Sequence, residues 1–414
     1  MPCASQACPA GIFVEEFSPG FSGSRSGMRL FVKKKSVWKT VPLQIDPVDE
    51  DGKLEFFQSE NWRREALAKT DLMLFDPKQL GDPIDLKKDK LPCKGPITYQ
   101  VRDKFKKKYG YITNCGANVH PPIFPHPIKF NTQNNEIRSK SYQYVFNSEN
   151  YMQFKSIAFH KNDSKLEEVA LDSKMLIHAD FKNFFTMNFD SDDITSVLED
   201  KRLGPVGNMA RVSFWLKVLF FEIDLKLNTN VGFFAESGHI PMMVSLPVNA
   251  TDYLNSGSGI LYSWQESKST KASAKTITMP PLSTKFIETG YSNLGALGTP
   301  FCSKEYCTFE YSAVINGQKL SLTFGLNKEL VKKGFFPQYV HNVNEFKSEM
   351  GWDVEANEGD RPAVYFETSG LPKGGHPWDF WLNLGGENDQ NKSCPHPIKF
   401  HRIPSSKLLG KTSY

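Results

Sequence analysis

The sequence predicts a mainly β protein (or α+β with few short helices), built of antiparallel sandwich-like sheets in two or three packed units. Three observations carry this expectation. Aromatic residues make up 13% of the chain, with 32 Phe, and the 26 Pro and 29 Gly favour strands and turns over helical bundles. Short apolar runs recur with period two and are separated by turn chemistry. The chain of 414 residues exceeds the roughly 250–300 at which a single core stops growing, so the expected units are 1–135, 136–270 and 271–414.

In chain order, residues 28–32, 38–45 and 54–57 read as strands, with the Asp-Glu-Asp-Gly of 46–52 as a turn. Residues 61–69 hold Trp62 and Leu67 at amphipathic spacing behind Asn61, which predicts a short capped helix, and 72–75 returns to strand. Residues 97–101 and 109–112 read as the arms of a hairpin. Strands are expected at 142–146, 152–159 and 176–181, a helix at 192–203, and a turn at 202–207. Residues 210–227 then read as one long strand, because Phe221, Ile223, Leu225 and Leu227 alternate with Glu222, Asp224 and Lys226. Further strands follow at 231–234, 242–246 and 260–262. The apolar-poor stretch 267–275 reads as a linker, and the last third resumes with strands and with short helices at 327–333 and 343–350.

Composition limits what the protein does. Fifty Lys and Arg against 46 Asp and Glu leave a net charge of +4, too small for a global nucleic-acid or membrane-surface role. The most basic window, 87–108, has nine Lys or Arg and two Asp, and its hairpin tip suits either solvation of a strand edge or contact with an anionic polymer. No apolar run reaches the roughly 18 residues of a transmembrane helix, and the densest, 214–221, is interrupted by Lys217. Residues 1–5 lack a basic start followed by an apolar stretch, so any signal peptide is expected to be absent or already removed. Seven Cys show no zinc-ribbon spacing, whereas Cys93 with Cys115 and Cys302 with Cys307 could each close a short loop in an oxidising compartment. Asn162, Asn249 and Asn391 stand in N-x-S/T patterns that permit, without requiring, glycosylation.

One hexapeptide, Pro-His-Pro-Ile-Lys-Phe, occurs twice, at 125–130 and 395–400. Proline on both sides of His leads the chain in extended, as at two equivalent edge strands, and alternatively presents two His at matching positions.

Catalytic signatures are missing: no GxSxG, HExxH, GxxxxGK[ST] or Rossmann glycine pattern occurs. Gly410-Lys411-Thr412 resembles the end of a phosphate loop, but Ser405 stands where its first glycine belongs. Attention therefore falls on histidine, which is both base and ligand near neutral pH. Period two places His178, Asp180 and Lys182 on one strand face, a row suited to acid–base work or to holding a polar ligand, and equally the pattern of an ordinary solvated face. His239 lies in a turn at a sheet rim that Arg211 could reach. His178, Asp180, Arg211 and His239 are thus the catalytic candidates. His376, Trp378, Asp379 and Trp381 are the ligand-binding candidates, since indole faces beside hydrogen-bonding groups suit sugar rings. At period two the two indoles point opposite ways, and core packing is their alternative role. No cofactor and no metal is expected; His120 with His126, and His396 with His401, lack a recognisable ligand geometry.

The sequence therefore reads as an exported, secreted or periplasmic, β-rich binding or cell-envelope protein with a polar or carbohydrate-like ligand, no nucleic-acid partner and no transmembrane helix. Two other readings remain open: a metal-independent glycan lyase or hydrolase with a His or Tyr base, and a membrane-inserting β protein built on the hairpin at 214–234.

Overall fold

The computed structural model describes residues 10–13, 23–48, 65–85, 88–93, 95, 98–103, 107–116, 122–160, 166–218, 221–246, 248–267, 276–278, 294–296, 301–302, 306–315, 318–333, 335–340, 342–352, 361–386 and 398–403. The chain forms two units. The smaller comprises Met1–Pro127, Arg202–Asn208 and Asn391–Tyr414, and the larger Ile128–Lys201 and Met209–Gln390.

The smaller unit carries β1 (Ala10–Phe13), β2 (Met28–Lys34), β3 (Val37–Val41), β4 (Gln44–Asp46), β5 (Leu72–Phe75), β6 (Thr98–Asp103) and β7 (Lys108–Asn114). The larger begins with β8 (Lys129–Asn131), β9 (Glu136–Arg138), β10 (Tyr142–Phe146), β11 (Phe154–His160), β12 (Leu166–Asp180), β13 (Thr186–Asp190) and β14 (Ile194–Leu203). It continues with β15 (Gly207–Val218), β16 (Phe221–Phe234), β17 (Ser237–Leu246), α1 (Ala250–Tyr253), β18 (Gly259–Glu266), β19 (Thr276–Thr278), β20 (Leu294–Ala296) and β21 (Phe301–Cys302). Then come β22 (Tyr306–Ile315), β23 (Gln318–Asn327), α2 (Lys328–Lys332), β24 (Pro337–Val340), α3 (Val343–Glu349), β25 (Ala363–Glu367) and β26 (Gly374–Gly386), and β27 (Ile398–Ile403) returns to the smaller unit.

In the larger unit a ten-stranded sheet runs β20-β24-β25-β18-β12-β11-β10-β9-β8, with β13 taking over from β11 along β12. A nine-stranded sheet runs β14-β15-β16-β17-β26-β23-β22-β19, with β21 on β22. Every pairing of described register is antiparallel, as the alternating sequence requires. One continuous apolar core draws Tyr144, Phe154, Ile157 and Phe366 from the first sheet and Phe214, Phe233, Phe324 and Trp378 from the second. Aromatic contacts cross it: Tyr144 lies 5.5 Å from Phe233, and Phe366 lies 5.3 Å from Phe324 and 5.2 Å from Trp378. The Tyr142 hydroxyl also donates to the Phe234 carbonyl at 2.9 Å, and burial raises its pKa. On the other face of the ten-stranded sheet, α3 closes a satellite cluster of Leu176, Leu261, Phe346, Trp352 and Tyr365.

The smaller unit has a five-stranded sheet, β27-β6-β7-β2-β3, and a three-stranded one, β1-β5-β4, around Leu30, Val32, Met73, Phe75, Val101 and Ile112. The basic hairpin is present as β6–β7, where Lys108 pairs with Asp82 at 2.8 Å, and Asp89 of the same basic window pairs with Lys33 of β2. Both copies of the repeated hexapeptide run into edge strands, β8 in one unit and β27 in the other. Cys93 and Cys115 form a disulfide across a Cα separation of 5.5 Å. Cys302 stands opposite Cys307 in the β21–β22 ladder, and Cys307 is itself disulfide-bonded.

Three expectations are corrected. The helix expected at 192–203 is absent: residues 194–203 are strand β14, where β-branched Ile194, Thr195 and Val197 follow a tight Asp190–Asp193 turn, and pairing with β15 overrides the helical propensity of Leu-Glu-Asp-Lys. The run at 210–227 is two strands, β15 ending at Val218 and β16 beginning at Phe221, neighbours in the nine-stranded sheet, and the sequence carries no Gly, Pro, Asn or Asp between them to announce it. Of the helix expected at 61–69, residues 65–69 are described and are not helical; the capping Asn61 and the strand expected at 54–57 lie outside the described residues, as does 268–275 of the expected linker.

Two measurements check these features. Replacing Cys93 and Cys115 together by Ser should destabilise the smaller unit by about 3 kcal/mol, the loop-closure value for a separation of 22 residues, read as a lowered urea midpoint. His160 has its pKa lowered from 6.5, first by burial and then by the charge of Arg138. The unfolded chain therefore takes up a proton at His160 before the folded one does, and stability falls as pH drops below 6.5. Subtracting the pH–stability curve of His160→Gln from that of the unsubstituted chain should show this acid-side loss; a flat difference counts against it.

Candidate ligand groove

The eight residues singled out from the sequence are dispersed over three places in the larger unit. His178 and Asp180 lie on β12 in the ten-stranded sheet. His178 shares its face with Leu176 under α3, is 6% exposed, stacks on Trp352 with ring centroids 4.5 Å apart, and has Nδ1 2.6 Å from Asn188 Oδ1. Asp180 accepts from Asn255 Nδ2 at 2.9 Å and Thr186 Oγ1 at 3.1 Å, while Lys182 Nζ donates to the Thr251 carbonyl. The His-Asp-Lys row is thus engaged in turn and packing contacts.

Arg211 and His239 belong to the other sheet, on β15 and β17 with β16 between them. Both point away from the core, since Val212, Phe214 and Ile240 face it. On that same outer face Trp381 stacks on His239 at 3.8 Å, so Arg211, His239 and Trp381 share one surface, with the Asp379 backbone opposite Pro241 and Gly325. Trp378 and His376 lie on the opposite side of β26. Trp378 is 4% exposed among Phe335 and Phe366, and His376 donates Nε2–H to the Pro372 carbonyl at 2.7 Å. Neither indole faces solvent, because alternation sends one into the core and the other under His239.

A polar concavity forms elsewhere, at one end of the ten-stranded sheet, where the β8–β9, β10–β11 and β13–β14 turns meet an irregularity in β12. It is a groove of about 580 Å³. By contrast, the void inside the apolar core between the sheets is about 40 Å³, room for water only.

Each wall has a local reason. In the β8–β9 turn Asn131 Oδ1 accepts from Gln133 N at 3.0 Å, and Asn135 takes a left-handed conformation (φ 50°) that Asn tolerates, leaving the Gln133 and Asn134 side chains exposed on the groove. In the β10–β11 turn Asn147 Oδ1 accepts from Glu149 N, while Asn147 Nδ2 donates to Gln153 Oε1 at 2.8 Å. Tyr151 ties these two turns together by donating its hydroxyl to Asn135 Oδ1 at 2.8 Å. The third turn is bound to the second by Asn150 Nδ2 donating to the Ser191 carbonyl at 3.0 Å and by Ser196 Oγ donating to Asn150 Oδ1 at 3.0 Å. The β12 irregularity places Asp172 at φ 38°, and Arg361 Nη1 donates to its carbonyl at 2.9 Å.

The groove therefore offers amides (Gln133, Asn134, Asn135, Asn147, Gln153), two carboxylates (Asp172, Asp192) and three cations (Lys155, Lys174, Arg361), held on a hydrogen-bonded floor. Amide groups carry donor and acceptor side by side, which matches the paired lone pairs and protons of neighbouring hydroxyls. The Asn, Gln, Asp and Ser clusters at 131–135, 147–153 and 190–193 are visible in the sequence as turn signals. Their convergence is not, because it depends on which strand ends are neighbours.

No protein-family model matches the chain, and no curated protein matches it in sequence. Among solved structures it is similar to an alpha-mannosidase from Enterococcus faecalis V583, at 10% identity and a TM-score of 0.43 over 91% of this chain and 41% of that one. It is also similar to a protein in the glycosyl hydrolase family 38 from Enterococcus faecalis, at 8% identity and a TM-score of 0.44 over 97% of this chain and 46% of that one. The chain spans less than half the length of either. Neither the identity nor the TM-score reaches a level at which a reaction or a sugar can be carried from one chain to the other.

The division between core indole and groove wall is testable by stability. Trp378→Ala should lower the unfolding free energy by about 3–5 kcal/mol, as expected for a large side chain removed from a packed core. Gln133→Ala, on the exposed wall, should stay within about 0.5 kcal/mol of the unsubstituted chain in the same urea titration.

Proposed function

We propose that this chain is an exported carbohydrate-binding β protein whose ligand lies in the polar groove of the larger unit. The observation that carries the reading is the groove itself: about 580 Å³ lined by amides, carboxylates and cations, with its floor already held by turn-to-turn hydrogen bonds. A site of that size accommodates a small oligosaccharide, and a pre-formed floor lowers the ordering cost of binding a ligand rich in hydroxyls. Export is supported by the Cys93–Cys115 disulfide, which persists in oxidising compartments. No described helix is long and apolar enough to cross a membrane.

A second reading rests on one further observation. Asp172 and Asp192 both line the groove, and a pair of carboxylates is what most glycoside hydrolysis requires, one as acid and one as base or nucleophile.

A glycan array probed with the full chain, followed by calorimetry on the best hit, tests both. Binding is expected, and Gln133→Ala combined with Lys155→Ala should weaken it about tenfold while leaving the unfolding midpoint unchanged. An array without signal, or an affinity unaffected by the double substitution, overturns the groove assignment. Release of reducing ends from the bound glycan, abolished by Asp192→Asn, would move the reading from binding to hydrolysis.

A further inference from the structure

The smaller unit holds a second cavity, of about 320 Å³, walled by the start of β2, by β3 and β4, by residues 122–126 and by the turn at 202–205. Among the described residues its charged lining is Arg25, Arg29 and Arg202, joined by the His126 ring, with no Asp or Glu. Two of the carboxylates that orient these guanidinium groups are out of water, while the exposed Glu65 carboxylate also accepts from Arg25 Nη1 at 3.2 Å. Asp71 receives Arg25 Nε at 2.7 Å and Nη2 at 3.0 Å, and Asp46 lies 3.1 Å from Arg202 Nε; both carboxylates are 0% exposed. Arg29 donates Nη1 to the carbonyls of Ser26 at 2.6 Å and Met28 at 2.7 Å. Burial lowers its pKa, yet a guanidinium begins so high that it stays charged.

The turn that brings Arg202 to the cavity is fixed by one side chain. Gln44 Oε1 accepts from Val206 N at 3.1 Å and Gly207 N at 3.0 Å. A Cβ at position 204 would meet that same oxygen at 2.0 Å, so any larger residue there would displace the Gln44 amide from this turn. His126 completes the wall by donating Nδ1–H to the Gly204 carbonyl at 3.2 Å. The remaining surface is hydrocarbon, from Val41, Leu43, Phe124 and Leu203 among others, and Leu203 is 45% exposed at its edge.

We propose that this cavity binds an amphipathic organic anion, a single carboxylate or phosphate headgroup on an aliphatic chain. The headgroup lies against the guanidinium groups and the chain runs along the apolar wall. Each half of the lining selects one half of the ligand. A neutral lipid would bury the polar arginine edges without new hydrogen bonds, and a purely polar anion would leave the hydrocarbon wall wet. Guanidinium groups already held by buried carboxylates need little reordering when the ligand arrives.

Decanoate, decyl phosphate and decanol titrated calorimetrically into the full chain test this. At least one of the two anions is expected to bind, at least about tenfold more tightly than decanol, and the stronger of the two identifies the headgroup. Leu203→Glu, which adds a negative charge at the exposed edge and removes part of the apolar wall, should weaken anion binding about tenfold, weaken decanol binding by clearly less, and leave the unfolding midpoint unchanged. Decanol binding as tightly as the anions, neither anion binding, or a folded Leu203→Glu variant with undiminished anion affinity overturns the proposal.

Discussion

The larger unit depends on the aromatic contact between its two sheets. Tyr144 and Phe146 of β10 reach Phe233 of β16, and Phe366 of β25 sits between Phe324 of β23 and Trp378 of β26. These rings come from strands far apart in the chain, and they are edge-on, tilted or stacked as ring quadrupoles favour. Because side chains alternate along a strand, committing these rings to the interior also commits their neighbours to the outer faces. The outward positions of Arg211 and His239 follow directly, as does the burial of Trp378.

The polar groove is the counterpart of that core. Once the rings fix the sheets, the strand ends of the ten-stranded sheet are fixed too, and the turns between them are brought side by side. Their Asn and Ser side chains then bond from turn to turn, as Tyr151 does to Asn135 and Asn150 to Ser191. Polar groups satisfied in this way make a rigid floor, and the groups left over on the walls are the ones available to a ligand. The apolar core fixes the position of the site, and the turn residues supply its chemistry.

The smaller unit solves a different problem, that of holding charge inside a modest core. Asp46 and Asp71 are fully buried, and each is tolerated because an arginine and a further donor reach it: Arg202 and Gln44 in one case, Arg25 and the Ala68 amide in the other. Such pairs contribute little net stability, since desolvation offsets much of the attraction, but they fix geometry. Here they fix the direction of two guanidinium groups around a cavity.

The sequence by itself determined the class of fold, most of the strands and the short helices at Lys328–Lys332 and Val343–Glu349, because period-two alternation and asparagine caps are local signals. It also marked both hexapeptide copies as edge strands, since proline cannot donate to a ladder. It misread 192–203, where a partner strand outweighed helical propensity, and it missed the break between β15 and β16, where no turn residue announces it. Tertiary structure alone decided what could be a site. His178 looked displayed but lies under Trp352, while Gln133, Asn147 and Asp192, unremarkable as separate turn residues, line one groove. Alternation is written within a single strand, whereas a site is made by strand ends that meet only through long-range pairing, and that pairing is set by the shape of the shared core.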